Sequence, residues 1–430
     1  MSLQGIFNTS VQAMLSQSQA MSNISSNIAN VNTTAYKLQD THFATLLNHT
    51  KPVNTDFFSV NTYDYRQVDK QGTITNTNRN YDLAINGRGF LVTNTTNEPT
   101  LVNDPAHGGR WQYTRDGALF GKAVDLGTDT DNDGQNDQAT QFVTANGAYV
   151  YGWAADEEGN FPETNDLASL TPGLFGNNSI FPSKATTRVD LQANVSAADN
   201  GRQNVAVPFV DQEGNSRSLV IGFNAQMGQD WTLDMSAKDI NNQPVDVIFD
   251  PPNISFDSSG RFVTPADGLI SVEIADANGP QSMLLDLSKL SSFADGGQLT
   301  VVNVEQDGYI AGRLNNTYFN SHGVLIGSYT NGELRNLYKL PVATFVADQK
   351  LEAKPGNIFV QTNEAGAMKL NSLGSPTGTT HIVTGALEAS NVDLADQFSK
   401  MIVTQRAYSS AAKVLMTADE MTMAARDLKR

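Results

Sequence analysis

No cysteine occurs in the 430 residues. That excludes a disulfide framework, a thiolate zinc site and a cysteine nucleophile. No continuous apolar stretch reaches the ~18 residues of a membrane-spanning helix. The N-terminus has neither a basic region nor a continuous apolar run, so a Sec-type signal is not expected. Positive charge is scarce: 28 Lys and Arg stand against 45 Asp and Glu, for a net charge of −17. A nucleic-acid or anionic-membrane surface would need clustered Lys and Arg, so neither partner is expected. Histidine is rare too. His42, His49, His107, His322 and His381 form no close ligand pair and flank no nucleophile motif, so no catalytic residue is expected. Apolar residues make up 39% of the chain, little for this length, which predicts either a protein that leaves much of itself wet or a core finished by association.

The sharpest absence is local. Residues 1–36 hold no Asp, Glu, Lys or Arg, and Lys37 is the first charge. Yet Phe7, Met14, Met21 and Ile28 recur every seven residues, with Leu3, Ile24 and Val31 as a second stripe. At the other end Leu387, Leu394, Met401, Tyr408 and Leu415 repeat the same period, widened by Phe398, Ile402 and Ala412. Heptad spacing marks a narrow seam meant for another helix. The spacing predicts terminal helices over 1–31 and 387–430, the second capped by Ser390-Asn391. Leu3, Phe7, Met14, Met21, Ile24, Ile28, Leu394, Phe398, Met401, Tyr408 and Leu415 are the expected assembly contacts. Asn27 and Asn30 join them, because an amide can bond across a helix contact where an unpaired charge would be costly.

Between the ends the sequence reads as β. Asn146-Gly147 and Asn331-Gly332 sit between strand-like runs as hairpin turns. Short runs such as SLVIGF, WTLDMSA, SVEIAD and LTVVNVE follow at sandwich or barrel spacing. The fold class is therefore mainly β with terminal α-helices. Charge divides the interior: residues 154–308 carry 22 acids and 7 bases, whereas 309–386 carry 4 and 6. Residues 154–308 are expected to form an acidic β-rich domain, inserted in a β-rich domain of 71–153 and 309–386. Residues 32–70 show neither period and are expected as an extended connector.

Chemical motifs are few. INGRGFLV offers Gly87 and Gly89 without a third glycine, so it is no dinucleotide loop. No two acids stand out as a glycosidase pair. DTDNDGQND places Asp129, Asp131, Asp133 and Asp137 at positions 1, 3, 5 and 9 of a calcium-loop pattern, with Gly134 at position 6. Position 12 is Thr140 instead of the bidentate Glu. A weak structural calcium site and a solvated acidic hairpin tip both remain open.

SSNIANVNTTAYK near the N-terminus and GALEASNVDLADQFSKMIVTQRAYSSAAKVL near the C-terminus resemble the bacterial flagellar axial proteins of rod and hook. YDLAINGRGFLV and YTRDGALF resemble the β-rich domain those proteins share, and FNSHGVLIGSYTNGE resembles a segment of the hook members. The likeness covers roughly 1–153 and 309–430. It implies a coiled-coil-like inner domain from both termini, β-rich domains outside it, and export in unfolded form by the flagellar type III apparatus. It also implies a homopolymer of many copies, a curved tube that bends while transmitting torque. Rod proteins, hook–filament junction proteins and a hook cap would be its partners. A distal rod subunit is one alternative, though the inserted middle favours the hook. A calcium-dependent extracellular binding protein is another, but it would not need two heptad ends.

Overall fold

A computed structural model describes residues 3–427 apart from 51–54, 99–108, 126–137, 163, 165, 177–179, 198–200, 227–228, 239–242, 276–278, 295–297 and 375–379. The calcium-like loop, Asp129 to Asp137, lies outside the described residues. The chain forms two compact units. The first holds Met1–Asn177, Thr317–Gly327 and Arg335–Arg430; the second holds Asn178–Asn316 and Ser328–Leu334. Residues 154–177, grouped by charge with the middle, thus lie in the first unit, and 309–316 and 328–334 lie in the second.

The first unit begins with helix α1 (Leu3–Ala29). Residues 39–66 are not an extended connector. They form an antiparallel hairpin, strand β1 (Gln39–Thr50) against strand β2 (Thr55–Arg66), in unbroken register from Gln39↔Arg66 to Thr50↔Thr55. Period-2 apolar alternation is missing because much of the face toward α1 is polar: Gln19 and Asn23 of α1 donate to Asp64, Asn23 also donates to Thr41, and Ser16 donates to the Val60 carbonyl. Helix α2 (Leu394–Asp427) packs along α1. Its cap is not Ser390-Asn391. The Asp393 carboxylate accepts the amides of Ala395 at 2.8 Å and Asp396 at 3.3 Å, which satisfies two donors of the first turn.

Outgoing and returning chain meet in this unit. Strand β3 (Ile74–Asn76) pairs with Ala386–Glu388, and strand β4 (Leu83–Asn86) pairs with His381–Thr384. Beyond them a larger sheet encloses two apolar clusters. One gathers Phe90, Tyr113, Trp153, Phe345 and Phe359; the other Leu83, Phe142, Leu325, Leu340 and Ile382. The turn at Asn146-Gly147 is made, with the Gly147 amide on the Thr144 carbonyl at 2.9 Å.

The second unit is two facing sheets around one core. Arg202–Val210, Ser216–Ala225 and Asp230–Lys238 are neighbours in one sheet; Leu269–Ile274, Gln281–Asp286, Arg188–Asn194 and Thr300–Gln306 follow in order in the other. Alternate residues such as Val205, Val207, Phe209, Leu233 and Met235 point into the core, and their neighbours face solvent. Asp307 ties this unit. Partial burial pushes its carboxyl up, but the Thr187 hydroxyl, the Arg188 and Thr187 amides and Lys184 outweigh that and hold it at about 2. A depressed carboxyl gives stability that is present above its unfolded value of about 3.9 and lost as pH falls through about 2. Asp307→Asn is therefore expected to lower the stability of this unit at pH 6 and to narrow its gap to the parent protein near pH 2, read by denaturant titration at both pH values.

Candidate assembly site

The uncharged helix α1 is held by amides. Asn27 is 1% exposed, and every polar atom of its side chain is used. Its Nδ2 donates to the Gln39 carbonyl at 2.8 Å and to Gln397 Oε1 at 3.0 Å. Its Oδ1 accepts from the Tyr36 hydroxyl at 3.1 Å and the Gln39 amide at 3.0 Å. One residue thus joins α1, β1, α2 and the intervening loop. The expectation that Asn27 reaches a neighbouring copy is corrected: its partners are internal. Asn30 also bonds locally, donating to the Ser26 carbonyl at 2.8 Å and accepting from the Thr33 hydroxyl at 3.1 Å.

Lys37, the first charge, is buried against Glu388 at 2.7 Å, and Arg115 approaches the other carboxylate oxygen at 3.0 Å. All three side chains are at least 96% buried. Lys37 also donates to the Lys70 carbonyl at 2.7 Å, and Glu388 also accepts the Gly72 amide at 2.8 Å. Arg115 is cradled by the Gly89 carbonyl at 2.9 Å and by that of Gly87. The glycines of INGRGF serve this cradle. Gly87 and Gly89 have φ of 117° and 116°, and a Cβ on Gly89 would lie 2.1 Å from Val342 Cγ1. Burial pushes the Lys37 ammonium below the usual lysine value; Glu388 opposes this, and Arg115 adds to it. Beside the cluster, Asn391 accepts the Leu38 amide at 2.7 Å and donates to the carbonyls of Gln67 and Lys70.

Between α1 and α2 the seam is mostly polar or small. Gln397, Thr404 and Ala418 are its buried members on α2, and Ser10, Ala20 and Ile24 are buried on α1. The heptad Leu394, Met401, Tyr408 and Leu415 starts three residues earlier, about 60° round the helix. Met401 and Leu415 are half-buried on the shoulder of the seam, whereas Leu394 and Tyr408 are exposed. Phe398 and Ile402, one turn apart, are 50% and 51% exposed. Leu394, Phe398 and Ile402 thus form an apolar stripe that the subunit itself leaves uncovered. On α1, Ile24 is buried, while Phe7, Met14, Met21 and Ile28 are half-buried; the Leu3 side chain lies outside the described residues. A groove of about 340 Å³ runs between Gln17 and Ala20 of α1, Phe43 of β1, and Val403, Thr404 and Ala407 of α2.

Residues 7–37 match the family model described as flagella basal body rod protein, and 383–428 match that of the flagellar basal body rod FlgEFG protein C-terminal region. The flagellar hook protein FlgE of Rhizobium meliloti is 27% identical over 446 residues, covering 100% of both chains. That of Escherichia coli is 25% identical over 431 residues, covering 96% of this chain and 97% of its own. Along its whole length the chain is similar to flagellar hook proteins. A crystal structure of Helicobacter pylori flagellar hook protein FlgE2 aligns at a TM-score of 0.48 and 13% identity, over 73% of this chain and 100% of that one. The first matched segment ends on Lys37 and the second contains Glu388. Lys37 was visible as the first charge; Glu388 and Arg115 were not singled out by sequence reasoning. Their only signal was position inside GALEASN and YTRDGALF. Among the described residues no helix is long and apolar enough to cross a membrane.

Proposed function

We propose that the chain is the structural subunit of the bacterial flagellar hook, polymerising into a curved helical tube that passes torque from rod to filament as a universal joint. The carrying observation is the uncovered stripe of Leu394, Phe398 and Ile402 beside the residues that α2 buries. Burying such side chains contributes ~1.5–3 kcal/mol each. Association costs roughly 4–15 kcal/mol, so several neighbours must share the contact. A head-to-tail contact that does not close on itself yields a tube. The groove beside Phe43 and Val403 offers a socket for a neighbour's stripe. Rod and hook–filament junction proteins would meet the two ends of the tube, a cap would sit on it during growth, and the type III apparatus would export the subunits. The tube would lie outside the cell, next to the basal body. Similarity to hook proteins along the whole length favours this reading over the distal rod subunit. A calcium-dependent binding protein would leave the helix pair unexplained. Negative-stain microscopy of the purified full-length chain at rising concentration tests the proposal. Short curved tubes are expected; straight rods would favour the rod, and dispersed particles throughout would overturn self-assembly.

A further inference from the structure

The buried cluster is lopsided. Two cations share one carboxylate, and they depend on it unequally. Arg115 lies within the β-rich body and keeps the carbonyls of Gly87 and Gly89 whatever Glu388 does. Among the described residues Lys37 has as hydrogen-bond partners Glu388 and the Lys70 carbonyl, and that carbonyl is also bonded by Asn391. Without the carboxylate, a desolvated ammonium would face the guanidinium with only the weaker attraction of Asp69 against it, which is costly enough to expel it. Glu388 lies 351 residues from Lys37 and is placed by the pairing of Ala386–Glu388 with β3. Its carbonyl also takes the Ala35 amide at 2.7 Å.

We propose that Glu388 is a latch: the segment around Lys37 docks on the β-rich body only once the returning C-terminal segment has set Glu388 between the two cations. Docking of this segment fixes Tyr36 and Gln39, which hold Asn27 and so the last turns of α1. The N-terminal helix is therefore anchored only on a chain whose C-terminal return is in place. A chain with an unfinished return offers neighbours no ordered helix pair; this consequence rests on the hook reading, while the latch itself does not.

Hydrogen exchange on the full-length monomer separates the latch from a merely structural carboxylate. In Glu388→Gln, amides of residues 24–40 are expected to exchange on the order of 100-fold faster, the scale of a broken buried pair. Amides of residues 83–85 and 90–93 should keep their protection. Adding Lys37→Met removes the stranded cation, so Lys37→Met/Glu388→Gln should recover at least about tenfold of the lost protection at 24–40. Unchanged exchange in Glu388→Gln, an even loss across both regions, or a double variant that exchanges as fast as or faster than the single one would overturn the latch.

Discussion

Phe398→Asp/Ile402→Asp is expected to abolish tube formation and leave the monomer as stable as the parent. Both side chains are half exposed in the single subunit, so neither change opens a cavity or strands a polar group. Between copies the same positions would be covered. Two lost apolar contacts of ~1.5–3 kcal/mol each raise the concentration needed for assembly by at least on the order of 100-fold. Buried carboxylates add to that cost. Sedimentation and microscopy read assembly, and denaturant titration reads the monomer. Tubes at the parent's concentration would remove α2's stripe from the interface; an unstable monomer would show that the stripe is covered internally.

Asn27→Asp is expected to act on the monomer itself. The change keeps size and shape, and the Tyr36 hydroxyl and Gln39 amide can still donate to one carboxylate oxygen. The other oxygen, however, replaces a donor that faces the Gln39 carbonyl and Gln397 Oε1. Acceptor then meets acceptor beside a buried charge. The cost is about 3–5 kcal/mol, the range for a buried charge left without its partner. Denaturant titration should show a loss of that size, and hydrogen exchange should show loosening where α1 meets β1. A loss under about 1 kcal/mol would mean that the amide is not the joint its four bonds describe.

The two variants separate what the heptads left merged. Terminal helices were legible because Phe7 to Ile28 and Leu394 to Leu415 repeat at a period that only a helix contact requires. Which side of α2 faces inward was not legible. Gln397, Thr404 and Ala418 also recur at steps of seven or its multiple, and a polar seam carries no apolar signal. The hairpin of β1 and β2 was missed for a related reason. Its inward face contains Gln39, Thr41 and Asp64, and hydrogen bonds to α1 take the place of apolar alternation. The glycines at 87 and 89 lack the third glycine of a nucleotide loop, and their use around Arg115 needs a partner 26 residues away to be seen.

By itself the sequence determined the class of the protein. The acidic balance, the missing cysteine, the alternating interior and the two heptad ends are local or compositional facts, and chain order cannot hide them. Tertiary structure decided the joints. Asn27 with Gln397, and Lys37 with Glu388, are pairs separated by 370 and 351 residues. Such a pair leaves no periodicity, because its energy comes from burial and geometry that arise only when the return of the chain closes on its beginning.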